Sequence, residues 1–186
     1  MTAVTTQSTT KTRDMVYIAM FAVLISICSW ISIPSAVPFT MQTFGIFLAV
    51  AVLGGKRGSL AVLVYLLLGL VGVPVFAGFS GGIGCLAGTT GGYIVGFQLT
   101  ALVMWAMEAM LGKKTFVLFA SMVLGTAVCY AFGTAWFMYV YARTTGAIGL
   151  GTALGWCVIP YIIPDLLKAA LALALRGRLC RAIRIG

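Results

Sequence analysis

The sequence predicts an all-α integral membrane protein with six transmembrane helices, because of its composition, its apolar segments and the positions of its basic residues. Of the 186 residues, 62% are hydrophobic and 8% are charged, and the mean hydropathy is +1.13. A soluble domain is about 45–50% apolar and about 25% charged. A chain this apolar needs lipid as its solvent.

Six apolar segments give the predicted helices in order, at residues 15–33, 40–53, 59–72, 93–111, 116–141 and 156–175. A transmembrane helix needs about 20 residues. The second and third segments are short, so they extend into the flanking turns, tilt or form a tight hairpin. These segments make up one six-helix transmembrane domain, residues 15–175. Residues 1–14 are predicted as a disordered cytoplasmic tail and residues 176–186 as a basic cytoplasmic tail.

Prolines and glycines mark the turns between these helices. Pro34 and Pro38 bracket the first turn, where the chain cannot stay helical. Gly54 and Gly112 follow the second and fourth segments, as glycines often do after the end of a helix. These residues therefore agree with separate helices at the predicted boundaries.

The basic residues set the predicted orientation. Ten of the twelve lie in the two tails and in the turns after the second and fourth helices: Lys11, Arg13, Lys56, Arg57, Lys113, Lys114, Arg176, Arg178, Arg181 and Arg184. Among the opposite loops, only 142–155 contains a basic residue, Arg143. Basic residues mark the cytoplasmic side of a membrane protein. Both termini are therefore predicted to be cytoplasmic, and the glycine-rich loop between the third and fourth helices faces outward.

Several classes of function are excluded by residue types and spacings. Histidine is absent, which excludes His-ligated metal sites and His-dependent catalysis, and the five cysteines lack metal-ligand spacing. The net charge of +9 lies at the ends of apolar runs rather than in a basic stripe for nucleic acid. The stretch "LGGKRGS" departs from the phosphate-binding P-loop pattern. We therefore expect a binder or transporter that needs no metal or cofactor, not an enzyme.

Two charged residues of the sixth segment are the strongest candidates for a binding site. Asp165 and Lys168 are three residues apart, so on a helix they project from one face. An ionisable residue inside a membrane points to function. The carboxylate could accept hydrogen bonds from a ligand, and the ammonium could bind a ligand oxygen. The alternatives are an ion pair that only packs the bundle, and a proton-coupled carrier that uses Asp165.

Two other features leave their roles open. Thr40 and Gln42 lie at the start of the second helix, where they could bind an uncharged polar ligand or form interhelical hydrogen bonds. The first helix has a face of small residues, which could either pack inside the bundle or dock another membrane protein. That face consists of Ala19, Ala22, Ser26 and Ser29.

Four stretches together resemble one known family. They are "VPFTMQT" (37–43), "LGGKRGSLAVLVYLLLGLVGVPVFAG" (53–78), "GTTGGYIVGF" (88–97) and "PDLLKAA" (164–170). Their combination is similar to the BioY family, the biotin-binding S components of energy-coupling factor (ECF) transporters. The resemblance extends over roughly residues 15–175. The family usually has proline at the position of Thr89, and some members place an arginine near the start of the fourth helix, which this chain lacks.

The resemblance implies capture of biotin from outside, at a pocket that the glycine-rich loop covers as a lid. Asp165 and Lys168 would then meet the polar groups of biotin, with Thr40 and Gln42 nearby. Aromatic rings would flank the ligand, and the loop would add backbone and hydroxyl contacts; these residues are Phe76, Tyr93, Tyr161, Gly78 and Ser80. An S component for another vitamin is the nearest alternative.

The resemblance also implies partners and a location. The S component would work with a transmembrane coupling (T) component and two ATP-binding-cassette ATPases in a prokaryotic plasma membrane. The small-residue face of the first helix would be the coupling surface.

Overall fold

The computed structural model describes residues 3–35 and 37–182, and most of them are helical. The elements in chain order are α1 (Ala3–Trp30), β1 (Ser32–Ile33), β2 (Phe39–Thr40), α2 (Gln42–Leu53), α3 (Gly55–Leu70), a 3₁₀ turn (Ala77–Phe79), α4 (Ile83–Ala87), α5 (Gly91–Leu111), α6 (Thr115–Thr144), α7 (Leu150–Cys157) and α8 (Ile159–Ala182). The first three predicted helices correspond to α1, α2 and α3. The fourth and fifth correspond to α5 and α6, and the sixth is divided into α7 and α8.

Helix length separates these elements into two groups. In the described part of the chain, four helical stretches are long and apolar enough to cross a membrane: Lys11–Trp30, Gly91–Leu111, Thr115–Thr144 and Leu150–Arg181. By contrast, α2 has 12 residues and α3 has 16, which correspond to about 18 and 24 Å against a hydrocarbon core of about 30 Å. The predicted all-α membrane protein is confirmed with four spans of sufficient length, and the count of six stays a prediction.

The short helix α2 lies at the centre of the bundle. It contacts α1, α3, α5 and α8. Every residue from Ile46 to Leu53 is buried, and the helix carries no charged side chain. A helix that is apolar on all faces is stable only when it is surrounded by other helices or lipid. The apolar sequence of α2 therefore explains why this helix lies at the centre of the bundle.

A glycine turn joins α2 to α3. Gly54 adopts φ +83°, a conformation that other residues rarely adopt, and α3 begins at the next residue. The two helices then pack closely, because a Cβ atom on Gly58 would lie 2.5 Å from the Cα of Val50. The predicted helix end at Gly54 is confirmed, and so is the one at Gly112, which follows α5 at φ +80°.

The turn between α1 and α2 contains a small hairpin that the sequence did not predict. The strands β1 and β2 pair antiparallel, with Ser32 opposite Thr40 and Ile33 opposite Phe39. The prolines Pro34 and Pro38 exclude helix here, as predicted, and the extended backbone that they favour pairs with itself instead. This hairpin places Thr40 two residues before Gln42, the first residue of α2.

The terminal helices run beyond the predicted tail boundaries. α1 begins at Ala3, within the segment 1–14 that was expected to be disordered, and α8 continues past residue 175 to Ala182. A helix can continue from a span into polar residues because its backbone hydrogen bonds remain internal. The division into tails and a central domain stays a prediction, and Arg184 lies outside the described residues.

Candidate functional site

The glycine loop, residues 72–92, is fixed to α3 by one aromatic side chain. Phe76 is 2% exposed, and its ring meets the ring of Tyr65 edge to face at a centroid distance of 5.5 Å. Gly69 provides the space, since a Cβ atom there would lie 2.0 Å from the Phe76 ring. The loop therefore inserts an aromatic anchor into the bundle, where it contributes to the core.

Two hydrogen bonds fix the same part of the loop to α1. The Ser29 hydroxyl donates to the Val75 carbonyl over 2.8 Å, and the Trp30 indole N–H donates to the Pro74 carbonyl over 2.9 Å. The Trp30 ring also stacks on Phe79 at a centroid distance of 5.0 Å. These contacts give the loop a defined position against the end of α1.

The first part of the glycine loop forms a tight turn that hydrogen bonds within the loop stabilise. The Phe76 N–H donates to the Ser80 carbonyl over 2.9 Å, and the Ser80 hydroxyl donates to the Ala77 carbonyl over 2.8 Å. Gly78 takes φ +67° inside this turn. Glycine suits this position because other residues rarely adopt such a φ angle. Gly78 does not line the cavity described below.

The far end of the glycine loop is fixed to α6. The Trp136 indole N–H donates to the Gly88 carbonyl over 3.0 Å. Gly92 lies against the same side chain, because a Cβ atom there would be 2.3 Å from the Trp136 Cβ. With anchors on α1, α3 and α6, the loop is a packed cap over one end of the bundle rather than a slack linker.

A cavity of about 260 Å³ lies beneath this cap, and we call it the loop cavity. Its wall carries no charged side chain, and it combines aromatic rings with hydroxyl and amide groups. The lining residues are Val37, Pro38, Thr40, Gln42, Phe76, Ala77, Ser80, Cys85, Gly88, Thr89, Thr90, Tyr93, Ile94 and Phe97. Small-molecule sites are usually concave and mostly apolar with a few polar groups, and the loop cavity fits this description.

Hydrogen bonds orient two of the polar side chains in the wall. The Gln42 amide donates to the Tyr65 hydroxyl over 2.7 Å, and Gln42 itself is buried. The Tyr93 hydroxyl lies 2.8 Å from the Thr134 hydroxyl of α6. Because the Tyr93 hydroxyl is bonded to α6, its aromatic ring is the part that borders the loop cavity.

The predicted pair on α8 forms a second polar region, which we call the ion-pair network (Asp165, Lys168, Thr40, Thr43 and Tyr130). The Lys168 ammonium lies 2.8 Å from Oδ1 of Asp165, and both residues are buried. The ammonium also donates to the Thr40 carbonyl over 2.7 Å and to the Thr43 hydroxyl over 3.2 Å. All three ammonium protons therefore have acceptors inside the protein.

The carboxylate of the network is satisfied in the same way. Oδ1 of Asp165 accepts from the Thr43 hydroxyl over 3.0 Å as well as from Lys168, and Oδ2 accepts from the Tyr130 hydroxyl over 2.5 Å. The Lys168 ammonium also lies 4.2 Å from the centre of the Phe39 ring. These contacts join the hairpin, α2, α6 and α8, so the pair links four elements of the fold.

Thr40 connects the two polar regions. Its side chain lines the loop cavity, whereas its carbonyl accepts from Lys168 on the other side. Asp165 and Lys168 themselves do not border the loop cavity. Thr40, which lines the cavity, is in direct contact with Lys168.

A second cavity, of about 220 Å³, touches the ion-pair network from the side of α6. Apart from Asp165, Tyr130 and Thr126, its wall is apolar. The hydroxyl of Tyr130 is already bonded to Asp165, and that of Thr126 to the carbonyl of Met122. This cavity therefore offers a polar ligand fewer free partners than the loop cavity does.

Comparison with known proteins identifies the family of this chain. A model of the BioY family matches residues 3–185. The chain belongs to the BioY family. The resemblance drawn from the four sequence stretches is thereby confirmed.

Relatives of known sequence and structure cover almost the whole chain. The "Probable biotin transporter BioY" of Pyrococcus horikoshii is 39% identical over 170 residues, which cover 91% of this chain and 97% of that protein. The "Biotin transporter BioY" of Thermotoga maritima is 40% identical over 169 residues, with coverage of 90% and 95%. A crystal structure described as the S-component for biotin from an ECF-type ABC transporter matches with a TM-score of 0.81 and 27% identity, covering 92% of each chain.

Within this BioY-family fold, the predicted binding residues are divided among four places, one of which is the 3₁₀ turn that contains Gly78. The loop cavity brings together Thr40, Gln42, Phe76, Ser80 and Tyr93, and the ion-pair network contains Asp165 and Lys168. Tyr161 lies outside both, where its hydroxyl donates to the Val37 carbonyl and lies 2.8 Å from the Ser35 hydroxyl. Tyr161 therefore fixes the turn between α1 and α2 and does not border the loop cavity.

The small-residue face of α1 is largely internal. Ala22, Ser26 and Ser29 are buried, and only Ala19 of the four is exposed. Ser26 donates to the Ala22 carbonyl of its own helix, and Ser29 fixes the glycine loop. These three residues therefore pack inside the bundle, and docking of another membrane protein on this face stays a prediction.

Several residues of the site escaped the sequence reasoning. The lining residues of the loop cavity that were not among the predicted binding residues are Val37, Pro38, Ala77, Cys85, Gly88, Thr89, Thr90, Ile94 and Phe97, and those of the ion-pair network are Thr43 and Tyr130. Tyr130 is one of many aromatic residues in an apolar segment, so nothing in the sequence distinguishes it. Thr43 could have been found, because it lies three residues after Thr40 at the start of α2. Arg143, the basic residue of loop 142–155, lies over the ring of Tyr139 and does not line the loop cavity.

Proposed function

We propose that this protein is the biotin-binding S component of an ECF transporter, which captures biotin from the outer side and delivers it inward. The observation that carries this proposal is membership of the BioY family, together with an uncharged cavity under the glycine loop. Two relatives carry the name biotin transporter, and the similarity covers 97% and 95% of their lengths.

The proposed topology has six spans with both termini in the cytoplasm of a prokaryotic cell. The basic residues at the tails and at the turns after α2 and α5 support it, since they mark the cytoplasmic side. The helices α2 and α3 are too short to cross alone as straight spans, but α2 is enclosed by other helices and α3 continues into the packed glycine loop. This orientation places the loop cavity at the outer surface.

The groups of biotin match those of the cavity. Biotin has an apolar thioether ring and chain, a ureido group with two N–H donors and a carbonyl, and a carboxylate. The rings of Phe76, Tyr93 and Phe97 supply apolar contact, and Gln42 and Thr40 supply polar atoms. The volume of about 260 Å³ lies just below the range of small-molecule sites, which begins at about 300 Å³. We propose direct contact of biotin with Thr40, Gln42, Phe76, Ser80 and Tyr93.

Asp165 and Lys168 would bind the ureido group of biotin in place of their present partners, Thr43 and Thr40. The Thr43 hydroxyl donates to the carboxylate, and the Thr40 carbonyl accepts from the ammonium. A ureido group presents the same pattern of a donor beside an acceptor. Binding would exchange these internal contacts for the ureido N–H and carbonyl of biotin after a small movement of the Thr40 segment.

The energy for transport would come from partners. The chain has no P-loop motif, so two ATP-binding-cassette ATPases would hydrolyse ATP, and a T component would couple that hydrolysis to delivery. The protein itself would be a binder without catalytic residues and without a cofactor. On α1, Ala19 is the member of the small-residue face that remains accessible to a T component.

A calorimetric titration tests the proposal. The chain purified alone in detergent is expected to bind biotin and to give no heat of binding with thiamine or riboflavin. Binding of thiamine or riboflavin instead of biotin would assign the protein to another vitamin. Absence of biotin binding by protein with its helical circular dichroism intact would contradict the proposed function.

A further inference from the structure

A groove of about 600 Å³ lies at the end of the bundle opposite the glycine loop. It is formed where α1, the turn from α2 to α3 and the turn from α5 to α6 meet. The helix α3 runs from Gly55, which lines this groove, to Leu70, just before the glycine loop. The groove therefore has no part in the proposed biotin site, and we call it the basic groove.

The charges of the basic groove do not balance. Its two carboxylates are already paired: Arg57 lies 2.8 Å from Asp14, and Lys113 lies 3.3 Å from Glu108. Glu108 also accepts from the backbone N–H of Gly55 over 2.7 Å.

Two further cations line the groove. Lys11 and Lys56 have no ion pair within the described part of the chain. They leave a surplus of positive charge that attracts an anion.

The basic groove also exposes apolar surface beside these cations. Met15 is 62% exposed, Leu60 is 40% exposed and Trp105 is 39% exposed, and all three line the groove. Tryptophan and basic residues together are typical of the membrane–water interface, where rings and ammonium groups meet lipid headgroups. A soluble anion would need only the cations, whereas a phospholipid would use both surfaces.

A carboxylate oxygen in the groove needs a hydrogen-bond donor from the ligand. Oδ1 of Asp14 is buried and has no hydrogen-bond partner among the described residues. A buried acceptor without a donor is destabilising. The Asp14 side chain as a whole is 25% exposed, so a headgroup with a hydroxyl next to its phosphate would satisfy Oδ1 after a small rotation of the carboxylate.

We propose that the basic groove binds the headgroup of one anionic phospholipid, with phosphatidylglycerol as the fitting type. Lys56 and Lys11 would contact the phosphate, the glycerol hydroxyl would donate to Asp14, and the acyl chains would pass over Met15, Leu60 and Trp105. Basic pockets between transmembrane helices bind anionic headgroups by this combination of charges and apolar surface. The assignment depends neither on biotin nor on which side of the membrane the groove faces.

Native mass spectrometry of the full chain released from detergent tests this assignment. With equal amounts of phosphatidylglycerol and phosphatidylcholine present, we expect one phosphatidylglycerol to be retained in preference. Lys56→Gln and Lys11→Gln should each reduce the apparent affinity for it by about fivefold, the effect of one charge near a headgroup. The matched control is Lys114→Gln, which removes the same charge next to Lys113 but outside the groove, and it should leave retention unchanged.

Three results would overturn the proposal. Equal losses in Lys114→Gln and Lys56→Gln would indicate general attraction by net charge rather than a site. Equal retention of the two lipids would remove the role of the phosphate charge. Displacement of the lipid by inorganic phosphate alone would assign the groove to a soluble anion. The melting temperature of each variant in phosphatidylcholine serves as the folding control and should match that of the unaltered protein.

Discussion

The loop cavity and the ion-pair network are two polar regions on opposite sides of Thr40, and they differ in how their polar groups are satisfied. The cavity wall is uncharged and borders open space, while its aromatic and amide groups are held from behind by Tyr65 and Thr134. In the network, every ammonium proton and both carboxylate oxygens already have partners inside the protein.

The difference reflects the cost of charge in lipid. A buried charge without partners is expensive, so a charged pair inside a membrane protein acquires internal hydrogen bonds whether or not a ligand binds. An uncharged wall carries no such requirement and can stay open to a ligand. The loop cavity is therefore preformed for binding, whereas the ion-pair network must exchange existing contacts to take part.

The largest effect is expected from breaking the pair on one side. Lys168→Met leaves Asp165 charged and buried, which should lower the free energy of unfolding by about 3–5 kcal/mol. It should also weaken biotin binding by more than about tenfold. Denaturant unfolding in detergent and calorimetry measure the two effects.

The double variant Asp165→Asn/Lys168→Met separates stability from binding. Because it removes both charges, we expect it to recover much of the stability that Lys168→Met loses and to remain a weak binder. Recovery of stability together with full biotin affinity would show that the pair only packs the bundle. Biotin affinity unchanged in Lys168→Met would give the same answer.

A smaller effect is expected from releasing the glycine loop. Phe76→Ala removes the buried ring that fills the space at Gly69, so the loop should lose its anchor and a wall of the cavity. We expect biotin affinity to fall by about tenfold, or about 1.4 kcal/mol, as measured by calorimetry.

The matched control for Phe76→Ala is Phe79→Ala. It removes the same side chain from the same loop, three residues later, where the ring is 64% exposed and outside the cavity. Phe79→Ala loses the stacking on Trp30, but the hydrogen bonds of Ser29 and Trp30 to the loop carbonyls still hold the loop to α1. Its biotin affinity should stay within about twofold of the unaltered protein. Equal losses in the two variants would show that the loop acts through its general flexibility and not through the anchor.

Some features were predictable from sequence because they depend on local chemistry. Gly54 and Gly112 end helices because their backbone conformations need glycine, and Asp165 and Lys168 were recognised because charge is rare inside lipid. The motif combination identified the family. Of the loop cavity, the residues found in advance were those carried by these motifs or by the glycine loop, such as Gln42 and Phe76.

Other features depend on how helices face each other, which the sequence alone leaves undetermined. The spacing of Ala22, Ser26 and Ser29 predicted a common face, but nothing in the spacing tells whether that face meets a partner or the helix's own bundle. Tyr130 joins the ion-pair network only because α6 and α8 come together at Asp165. Tyr161 was expected to flank the ligand, and its hydroxyl donates to the Val37 carbonyl in the turn between α1 and α2, outside the loop cavity.

Cysteine labelling tests most directly whether biotin occupies the loop cavity. Cys85 lines the cavity and is partly accessible, Cys180 is exposed at the far end of α8, and Cys28, Cys129 and Cys157 are buried. Buried thiols react slowly because their thiolate form is disfavoured. Saturating biotin is predicted to slow modification of Cys85 by a small maleimide and to leave modification of Cys180 unchanged, as read by peptide mass spectrometry. Modification of Cys85 at the same rate with and without bound biotin would contradict the assignment of the loop cavity as the biotin site.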